Sequence, residues 1–213
     1  MLRFEHSLWE KGLTLVAGVD EVGVGPLAGP VYAAAVILPH GVHLPEVNDS
    51  KKLSAKKRER LSKDIYAQAV SVAIGICSVS EIDTMNILQA TREAMRRAVM
   101  QLDPLPEHVL VDARRIPRIE MGQTAIIKGD AQSQTIAAAS IVAKVARDRL
   151  MDEMAEKYPG YGFEKHRGYG TALHMRMLQE LGPMPEHRTS FAPVRRAMRG
   201  LDSSSIFTFS SLN

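Results

Sequence analysis

Short apolar runs alternate with longer amphipathic segments along most of the chain. Runs rich in Val, Ile and Ala predict buried β-strands at residues 15–22, 31–38, 71–79, 108–112 and 124–128. Residues 23–30 join the first two runs and contain too much Gly and Pro for a helix. We therefore expect these two strands to pair with each other in antiparallel orientation.

The segments between and after the strands have the spacing of amphipathic helices. Apolar residues recur every three or four positions at 87–102, and further helices are predicted at 55–66, 133–157 and 171–181. Ser133 is a candidate N-cap for the helix at 133–157. Strands that alternate with helices predict one α/β domain over residues 1–200, with a mixed five-stranded sheet, a C-terminal helical region and an unstructured tail at 201–213.

The composition is that of an ordinary globular protein. The chain has 213 residues, of which 45% are hydrophobic and 24% charged, so it can bury a core without disulfides. Cys77 is the only cysteine, which excludes an internal disulfide and, within an apolar run, indicates a core residue. No apolar run reaches the ~18 residues of a membrane span, and the N-terminus lacks the apolar segment of a signal peptide. We expect a cytoplasmic monomer without a membrane partner.

Positive charge is concentrated in two segments. The net charge is only +3, but residues 51–63 contain seven basic residues and one acid, and residues 186–199 contain four arginines. Clusters of this kind are typical of proteins that bind polyanions. On charge alone, however, solvated helix faces are the simpler interpretation.

Three predicted strands run into acidic residues. Asp20 and Glu21 follow one apolar run, and Asp112 and Asp130 each follow another. If the strand ends are neighbours, four carboxylates converge, and they repel one another unless they take up protons or a cation. Oxygen ligands suit Mg²⁺ or Mn²⁺, and two such ions could support a phosphodiester displacement. For each acid alone, a turn or a helix cap is the simpler interpretation.

Other polar motifs allow both a functional and a structural interpretation. The glycine loop at residues 23–25 could bring its backbone close to a sugar or phosphate, or it could be a tight turn. Lys51 and Lys52 could bind phosphate or lie in a solvated turn. Tyr169 lies among glycines and basic residues, where it could stack on a sugar or base, or anchor a loop.

Six motifs together resemble one known family. They are VAGVDEVGVGPLAGPV (16–31), NDSKKLS (48–54), VLVDA (109–113), IKGDAQSQTIAAASIVAKVARD (127–148), YGFEKHRGYGT (161–171) and HRTSFAPV (187–194). In this order, over residues 14–197, the chain resembles the bacterial type 2 ribonucleases H, the ribonucleases HII. The long motif at 127–148 is the most specific of the six.

The resemblance implies a ribonuclease-H-like fold and an endonuclease that uses Mn²⁺ or Mg²⁺, with two ions in the substrate complex. Its substrates would be RNA–DNA hybrids and duplex DNA with single embedded ribonucleotides. Nicking on the 5′ side would leave a 3′-hydroxyl and a 5′-phosphate and would remove misincorporated ribonucleotides. The implied catalytic and metal-binding residues are Asp20, Glu21, Asp112 and Asp130. The implied substrate-binding residues are Gly23, Val24, Gly25, Lys51, Lys52, Ser133 and Tyr169.

Two positions depart from the family pattern. Val24 stands where the family usually has Arg, so a phosphate contact is lost, while backbone contacts to a ribose 2′-hydroxyl can remain. Ala113 stands where the family usually has Gly, and a left-handed backbone there would strain Ala. The alternative function is therefore a hybrid-binding protein with reduced or lost catalysis. The complete set of four acids favours the enzyme.

Overall fold

The computed structural model describes the backbone of residues 1–207 and the side chains up to residue 199. Five strands form one mixed sheet in the order β3-β2-β1-β4-β5. They are β1 (Val16–Val22), β2 (Val31–Ile37), β3 (Ser71–Cys77), β4 (His108–Asp112) and β5 (Gly122–Ile126). β2 pairs antiparallel with β1 and β3, whereas β4 runs parallel to β1 and β5. The predicted mixed five-stranded sheet and its antiparallel first pair are confirmed.

Helices cover both faces of the sheet and one of its ends. They are α1 (Arg3–Trp9), α2 (Ala55–Gln68), α3 (Val79–Met85), α4 (Ile87–Met100), α5 (Gln134–Lys157), α6 (Phe163–His166), α7 (Ala172–Glu180) and α8 (Ala192–Phe207). Two 3₁₀ turns occupy Ser50–Lys52 and Gly129–Ala131. Among the helices of residues 1–207, none is long and apolar enough to cross a membrane.

Two helices approach the sheet closely, one on each face. α4 packs on one face, and α5, together with α2, packs on the other. Gly18 of β1 has no room for a Cβ because the backbone of α5 at Thr135 lies against it. Gly75 of β3 meets the backbone of α4 at Ala94 in the same way. These close contacts fix the central strand β1, and therefore the residues that follow it, relative to α5, and they fix the edge strand β3 relative to α4.

The carboxyl ends of β1, β4 and β5 lie at one edge of the sheet. β1 and β4 are parallel, with Val19 opposite Val111, and β5 runs parallel on the far side of β4. Asp20 therefore lies level with Asp112, and the 3₁₀ turn that contains Asp130 follows β5 at the same edge. The convergence expected from three acid-terminated strands depends on this parallel arrangement.

Two predicted strands have different ends in the structure. The strand predicted at 71–79 stops at Cys77 because Ser78 caps α3. The Ser78 hydroxyl accepts from the Glu81 N–H, and the Glu81 carboxylate accepts from the Ser78 N–H. The strand predicted at 124–128 is shifted to Gly122–Ile126, because Lys128 has a left-handed backbone with φ of 56°. The other strand ends differ by at most one residue.

The four predicted helices are present, with ends shifted by two residues or fewer. The sequence patterns do not predict α1, α3 and α6, which are too short to show a helical period, or α8, whose Pro193 and Gly200 disturb the pattern. α8 continues to Phe207 and so enters the segment at 201–213 for which we expected no ordered structure. The remainder of that segment, 208–213, lies outside the described residues.

Candidate active site

Three carboxylates meet at the carboxyl-end edge of the sheet. Oxygen atoms of Asp20, Glu21 and Asp112 lie within 4.8 Å of one another. Side chains alternate along β1, so Asp20 faces Ser140 on α5, whereas Glu21 lines a cavity with residues of α4. Asp20 is buried, and the other two acids are half-buried. The structure therefore brings three of the four predicted acids into one group, called the acidic group below.

Burial and the charges of neighbouring acids raise the pKa of all three carboxyl groups. Burial, followed by the charge of Glu21, raises the pKa of Asp20 well above its usual value. Burial and the charge of Asp112 raise the pKa of Glu21 to about 7. The pKa of Asp112 is also raised, first by burial. Without a cation, the acidic group therefore retains protons that surface carboxyl groups release.

The acidic group fits a hard divalent cation. The Oε2 atom of Glu21 is buried and has no hydrogen-bond partner among the described residues. Carboxylate oxygens are the ligands that Mg²⁺ and Mn²⁺ prefer. A cation held by Asp20, Glu21 and Asp112 would give this oxygen a partner and would offset the repulsion within the group.

Asp130 lies beside the acidic group. It is buried in the 3₁₀ turn after β5, and its charge contributes to the raised pKa of Asp112. The Nζ atom of Lys51 lies 3.7 Å from Asp130 Oδ2, and the Lys51 side chain is 82% exposed. Lys52 is exposed in the same 3₁₀ turn as Lys51. Both lysines are therefore accessible, and Lys51 places a positive charge at the rim of the acidic group.

The turn that contains Asp130 also fixes Asp112. The Gly129 N–H donates to Asp112 Oδ1 at 2.6 Å. The next residue along the chain from Asp112, Ala113, has a φ of 55°, which lies in the left-handed region. The strain that we expected from an alanine at this position is therefore present.

The glycine loop and Tyr169 form one accessible surface. A Cβ on Gly25 would lie 3.6 Å from Tyr169 Cε1, which is an ordinary contact distance. The Leu27 N–H donates to Gly168 O at 2.8 Å and so joins the loop to the segment of Tyr169. Val24 is 39% exposed and Tyr169 is 43% exposed. Val24 also lines the cavity that contains Glu21, so this surface adjoins the acidic group.

Ser133 lies in the interior, away from this surface. Its hydroxyl donates to Glu5 Oε1 at 2.6 Å and accepts from the Ile136 N–H, and the side chain is fully buried. These bonds cap α5 and connect it to α1. They account for Ser133 as a structural residue, and its contact with substrate stays a prediction.

Two serines support Asp20, and the sequence did not single them out as site residues although both lie within the motifs at 48–54 and 127–148. The Ser140 hydroxyl of α5 donates to Asp20 and lowers the pKa of Asp20, in opposition to burial. The Ser50 hydroxyl lies 2.9 Å from that of Ser140. The two serines are 90 positions apart, so only the fold brings them together.

A cavity of about 290 Å³ adjoins the acidic group on the α4 side. Most of its exposed wall is apolar, and half of its lining residues come from α4. Its polar and charged lining includes Glu21, Thr91, Arg92, Asp112 and Arg114. The charge of Arg114 lowers the pKa of Glu21 against the larger effect of burial. Arg92 and Arg114 are thus additional cations near the acids that sequence reasoning missed.

The arginine segment at 186–199 is divided between interior and surface. Arg188 is fully buried, and its guanidinium donates to Val24 O and Gly23 O. Arg195 and Arg196 are exposed on α8. For Arg188, both polyanion binding and a solvated helix face are wrong, because a count of charges does not reveal which of them are buried.

Comparison with known sequences identifies the family. The family profile described as Ribonuclease HII matches residues 17–194. The chain belongs to the ribonuclease HII family. A ribonuclease HII of Bacillus cereus is 55% identical over 195 residues, which are 92% of this chain and 76% of the relative. That of Bacillus thuringiensis strain Al Hakam is 54% identical over the same shares. As a ribonuclease HII family member, the chain is a ribonuclease H endonuclease.

Solved structures agree with this family fold. The ribonuclease H2 from Pyrococcus horikoshii OT3 aligns with a TM-score of 0.75 and 27% identity over 88% of this chain and 98% of that one. A ribonuclease HIII, Bst-RNase HIII, solved in complex with Mn²⁺, aligns with a TM-score of 0.65 and 18% identity over 89% and 71% of the two chains. The predicted ribonuclease-H-like fold is confirmed.

Proposed function

We propose that this chain is a divalent-metal-dependent endonuclease that cuts the RNA of RNA–DNA hybrids and nicks duplex DNA on the 5′ side of single ribonucleotides. The observation that carries the proposal is the acidic group, in which repelling carboxylates converge and one buried oxygen of Glu21 lacks a partner. Such an arrangement costs stability in the absence of a cation. A protein that only binds hybrids gains nothing from it.

The four acids divide between two ion sites in this proposal. Asp20, Glu21 and Asp112 would hold one ion, and Asp130 would complete the site of a second. When bound, such ions supply Lewis-acid stabilisation of the charge that develops on the phosphate oxygens. The Gly129 N–H fixes Asp112, so this carboxylate keeps its position during the reaction.

The reaction is the hydrolysis of one phosphodiester bond. Water attacks the phosphorus atom, and the bond between phosphorus and the 3′ oxygen breaks. The products are a 3′-hydroxyl and a 5′-phosphate. Lys51, exposed at the rim of the acidic group, contacts the charged backbone of the substrate.

Recognition of the ribonucleotide is assigned to the glycine loop and Tyr169. The backbone at residues 23–25 hydrogen-bonds the ribose 2′-hydroxyl, and the Tyr169 ring packs on the neighbouring deoxyribose, where this hydroxyl is missing. The position of the Tyr169 ring next to Gly25 and the exposure of Val24 and Tyr169 support this assignment. Because the contacts come from the backbone, Val24 can serve in place of the family Arg.

A second candidate function is that of a hybrid-binding protein with reduced catalysis. The observation in its favour is the left-handed φ of Ala113 immediately after Asp112. Strain at this position could displace the carboxylate from its working geometry. The hydrogen bond from Gly129 to Asp112 opposes such a displacement.

A cleavage assay separates the two candidates. The substrate is a DNA duplex with one ribonucleotide, labelled on the ribonucleotide-containing strand, and the protein is supplied with Mn²⁺, Mg²⁺ or a chelator. We expect a single nick on the 5′ side of the ribonucleotide with either metal, an end that a DNA polymerase can extend, and no nick with the chelator. Tight binding of the duplex without any nick would contradict the enzyme and favour the binding protein.

A further inference from the structure

Two fully buried arginines contact the loop that follows the first two acids. Arg188 donates to Gly29 O at 2.9 Å, Val24 O at 3.0 Å and Gly23 O at 2.6 Å. Arg147 of α5 donates to Ala28 O at 3.2 Å, Pro30 O at 3.2 Å and Arg167 O at 3.1 Å. Six carbonyl oxygens are therefore held from the inside of the protein, five of them in the segment at 23–30.

The arginines carry charge in a place where charge is costly. Both have no exposed surface, and neither forms an ion pair with a carboxylate of the described residues. Their direct hydrogen-bond partners are carbonyl oxygens, and the charges of Asp148 and Asp83 favour the charged forms of Arg147 and Arg188 without forming an ion pair. Buried charges compensated in this way contribute little to stability, because apolar side chains of similar volume commonly stabilise a core equally well. A role in the geometry of the loop explains their presence better than a role in stability.

Tethering of the C-terminal region does not need the Arg188 side chain. The Gly29 N–H donates to Glu186 O, and the Arg188 N–H donates to Leu27 O, each at 2.8 Å. These backbone bonds already join the segment at 186–188 to the segment at 27–29. Gly23 and Val24 lie beyond the reach of that pairing, and their carbonyl oxygens accept only from the guanidinium among the described hydrogen bonds.

The inward-pointing carbonyl groups determine which backbone groups of the loop face the solvent. The N–H groups of Gly23, Val24 and Gly25 donate to no other group in the described part of the chain. Gly23 has a φ of 93°, and a Cβ there would collide with the Arg147 side chain, so the loop rests directly on this guanidinium. Gly23 itself is buried, whereas Val24 and Gly25 are exposed, so with its carbonyls fixed toward the interior the loop keeps the unpaired N–H groups of these two residues at the surface beside Tyr169.

We infer that Arg188 and Arg147 are positioning residues that hold the backbone donors of Val24 and Gly25 at a fixed position relative to Tyr169. This fixed position lets the enzyme select a single ribonucleotide. The inference rests on the proposed function. It assigns selectivity for the junction between a ribonucleotide and the neighbouring deoxyribonucleotide to two side chains that do not contact the substrate. A uniform hybrid presents a 2′-hydroxyl at every step and tolerates a displaced loop, whereas a single ribonucleotide presents only one.

The test compares two substrates with Arg188→Lys, which keeps the charge but loses the planar fork of donors. We expect kcat/KM on the single-ribonucleotide duplex to fall about tenfold more than kcat/KM on a uniform hybrid, and Arg147→Lys to act in the same direction. A merely structural role would lower the folded fraction and both rates together, so their ratio would not move. The control is Arg149→Lys, an exposed arginine of α5 paired with Glu59, which should leave the ratio unchanged.

A second measurement uses the unaltered protein, so the inference can be tested even if the variants do not fold. We expect ¹⁵N order parameters near 0.85 for the Val24 and Gly25 amides, the value of rigid backbone, and values below about 0.6 in any folded Arg188→Lys protein. A mobile loop in the unaltered protein, or an unchanged substrate ratio in a folded variant, would overturn the inference. Failure of the proposed function shows differently, because the unaltered protein would then cleave neither substrate.

Discussion

Neighbouring residues on one strand point to opposite faces of the sheet, so Asp20 and Glu21 lie in different environments. Asp20 lies on the α5 side next to Ser140, and Glu21 lies on the α4 side in the cavity with Arg92. The sequence predicts that the acids converge, because each follows an apolar run. It does not predict the supporting serines or arginines, because their spacing along the chain carries no signal of their contacts.

Ala113 is the residue whose strain can be relieved by one substitution. Ala113→Gly removes the cost of a left-handed alanine, roughly 1–2 kcal/mol, but adds backbone freedom to the unfolded chain, which costs about 0.4–1 kcal/mol. We expect a net gain of about 0.5–1 kcal/mol in the free energy of unfolding, measured by urea denaturation. Ala131→Gly, in the 3₁₀ turn at Gly129–Ala131 without a positive φ, is the control and should be destabilising. Loss of stability in Ala113→Gly would mean that this backbone is not strained.

Tyr169 is the residue at which recognition and chemistry can be separated. Loss of a stacking ring costs roughly 1–3 kcal/mol, or about ten- to a hundredfold in rate. We expect Tyr169→Ala to lower kcat/KM on the single-ribonucleotide duplex more than on a uniform hybrid, and Tyr169→Phe to lose little because it keeps the ring. Equal losses on the two substrates would show that Tyr169 anchors its loop and does not read the junction.

Secondary structure elements could be predicted where apolar residues recur regularly over a long segment, or where an apolar run ends in an acidic residue. β4 matches its predicted bounds, and α5 begins one residue after the predicted cap Ser133. β5 was displaced by two residues, because local sequence reveals neither its pairing with β4 nor the left-handed backbone of Lys128 beyond its end. The short helices were missed for the same reason, since tertiary contacts rather than periodicity stabilise them.

The start of α5 provides a test of what Ser133 does. Its hydroxyl caps α5 and donates to the buried Glu5 carboxylate, so Ser133→Ala should lower the free energy of unfolding by about 1–3 kcal/mol. At a temperature well below unfolding, kcat/KM should be unchanged. Ser54→Ala, which removes the exposed cap of α2, is the matched control and should cost about 1 kcal/mol. A Ser133→Ala protein of normal stability with reduced kcat/KM would instead support the predicted contact with substrate.

At the scale of the whole molecule, a chain of histidine hydrogen bonds joins α7 to the segment before α8. The Met184 N–H donates to His187 Nδ1 at 3.0 Å, so the His187 proton lies on Nε2. That proton is donated to His174 Nε2 at 3.0 Å, and His174 Nδ1 in turn donates to Tyr169 O at 3.0 Å. Each ring uses one donor and one acceptor, so the arrangement requires neutral imidazoles. It therefore connects the C-terminal region to the segment of Tyr169 only when these histidines are uncharged.

This chain of bonds predicts a specific sensitivity to acid. Burial, and then the neighbouring His174, lowers the pKa of His187 from about 6.5 to about 4, so the unfolded chain binds this proton first. Stability should be complete above about pH 6.5 and should fall as the pH drops toward 4, by up to about 3 kcal/mol from this residue. His187→Gln should flatten the pH dependence of urea unfolding, while His43→Gln, at an exposed position, should not. Equal slopes for the unaltered protein and His187→Gln would contradict this account.

The most direct measurement of the central claim is the turnover of Asp112→Asn on a DNA duplex with one ribonucleotide in saturating Mn²⁺. Asp112 contributes an oxygen to the acidic group, and removal of a direct ligand should cost more than the roughly 10- to 100-fold that loss of a supporting residue costs. Without metal, the same variant should melt at a higher temperature than the unaltered protein, because one repelling charge is gone. Turnover below about one hundredth of normal together with this rise in melting temperature is the predicted result. Turnover close to normal would contradict the assignment of Asp20, Glu21 and Asp112 as the catalytic metal site.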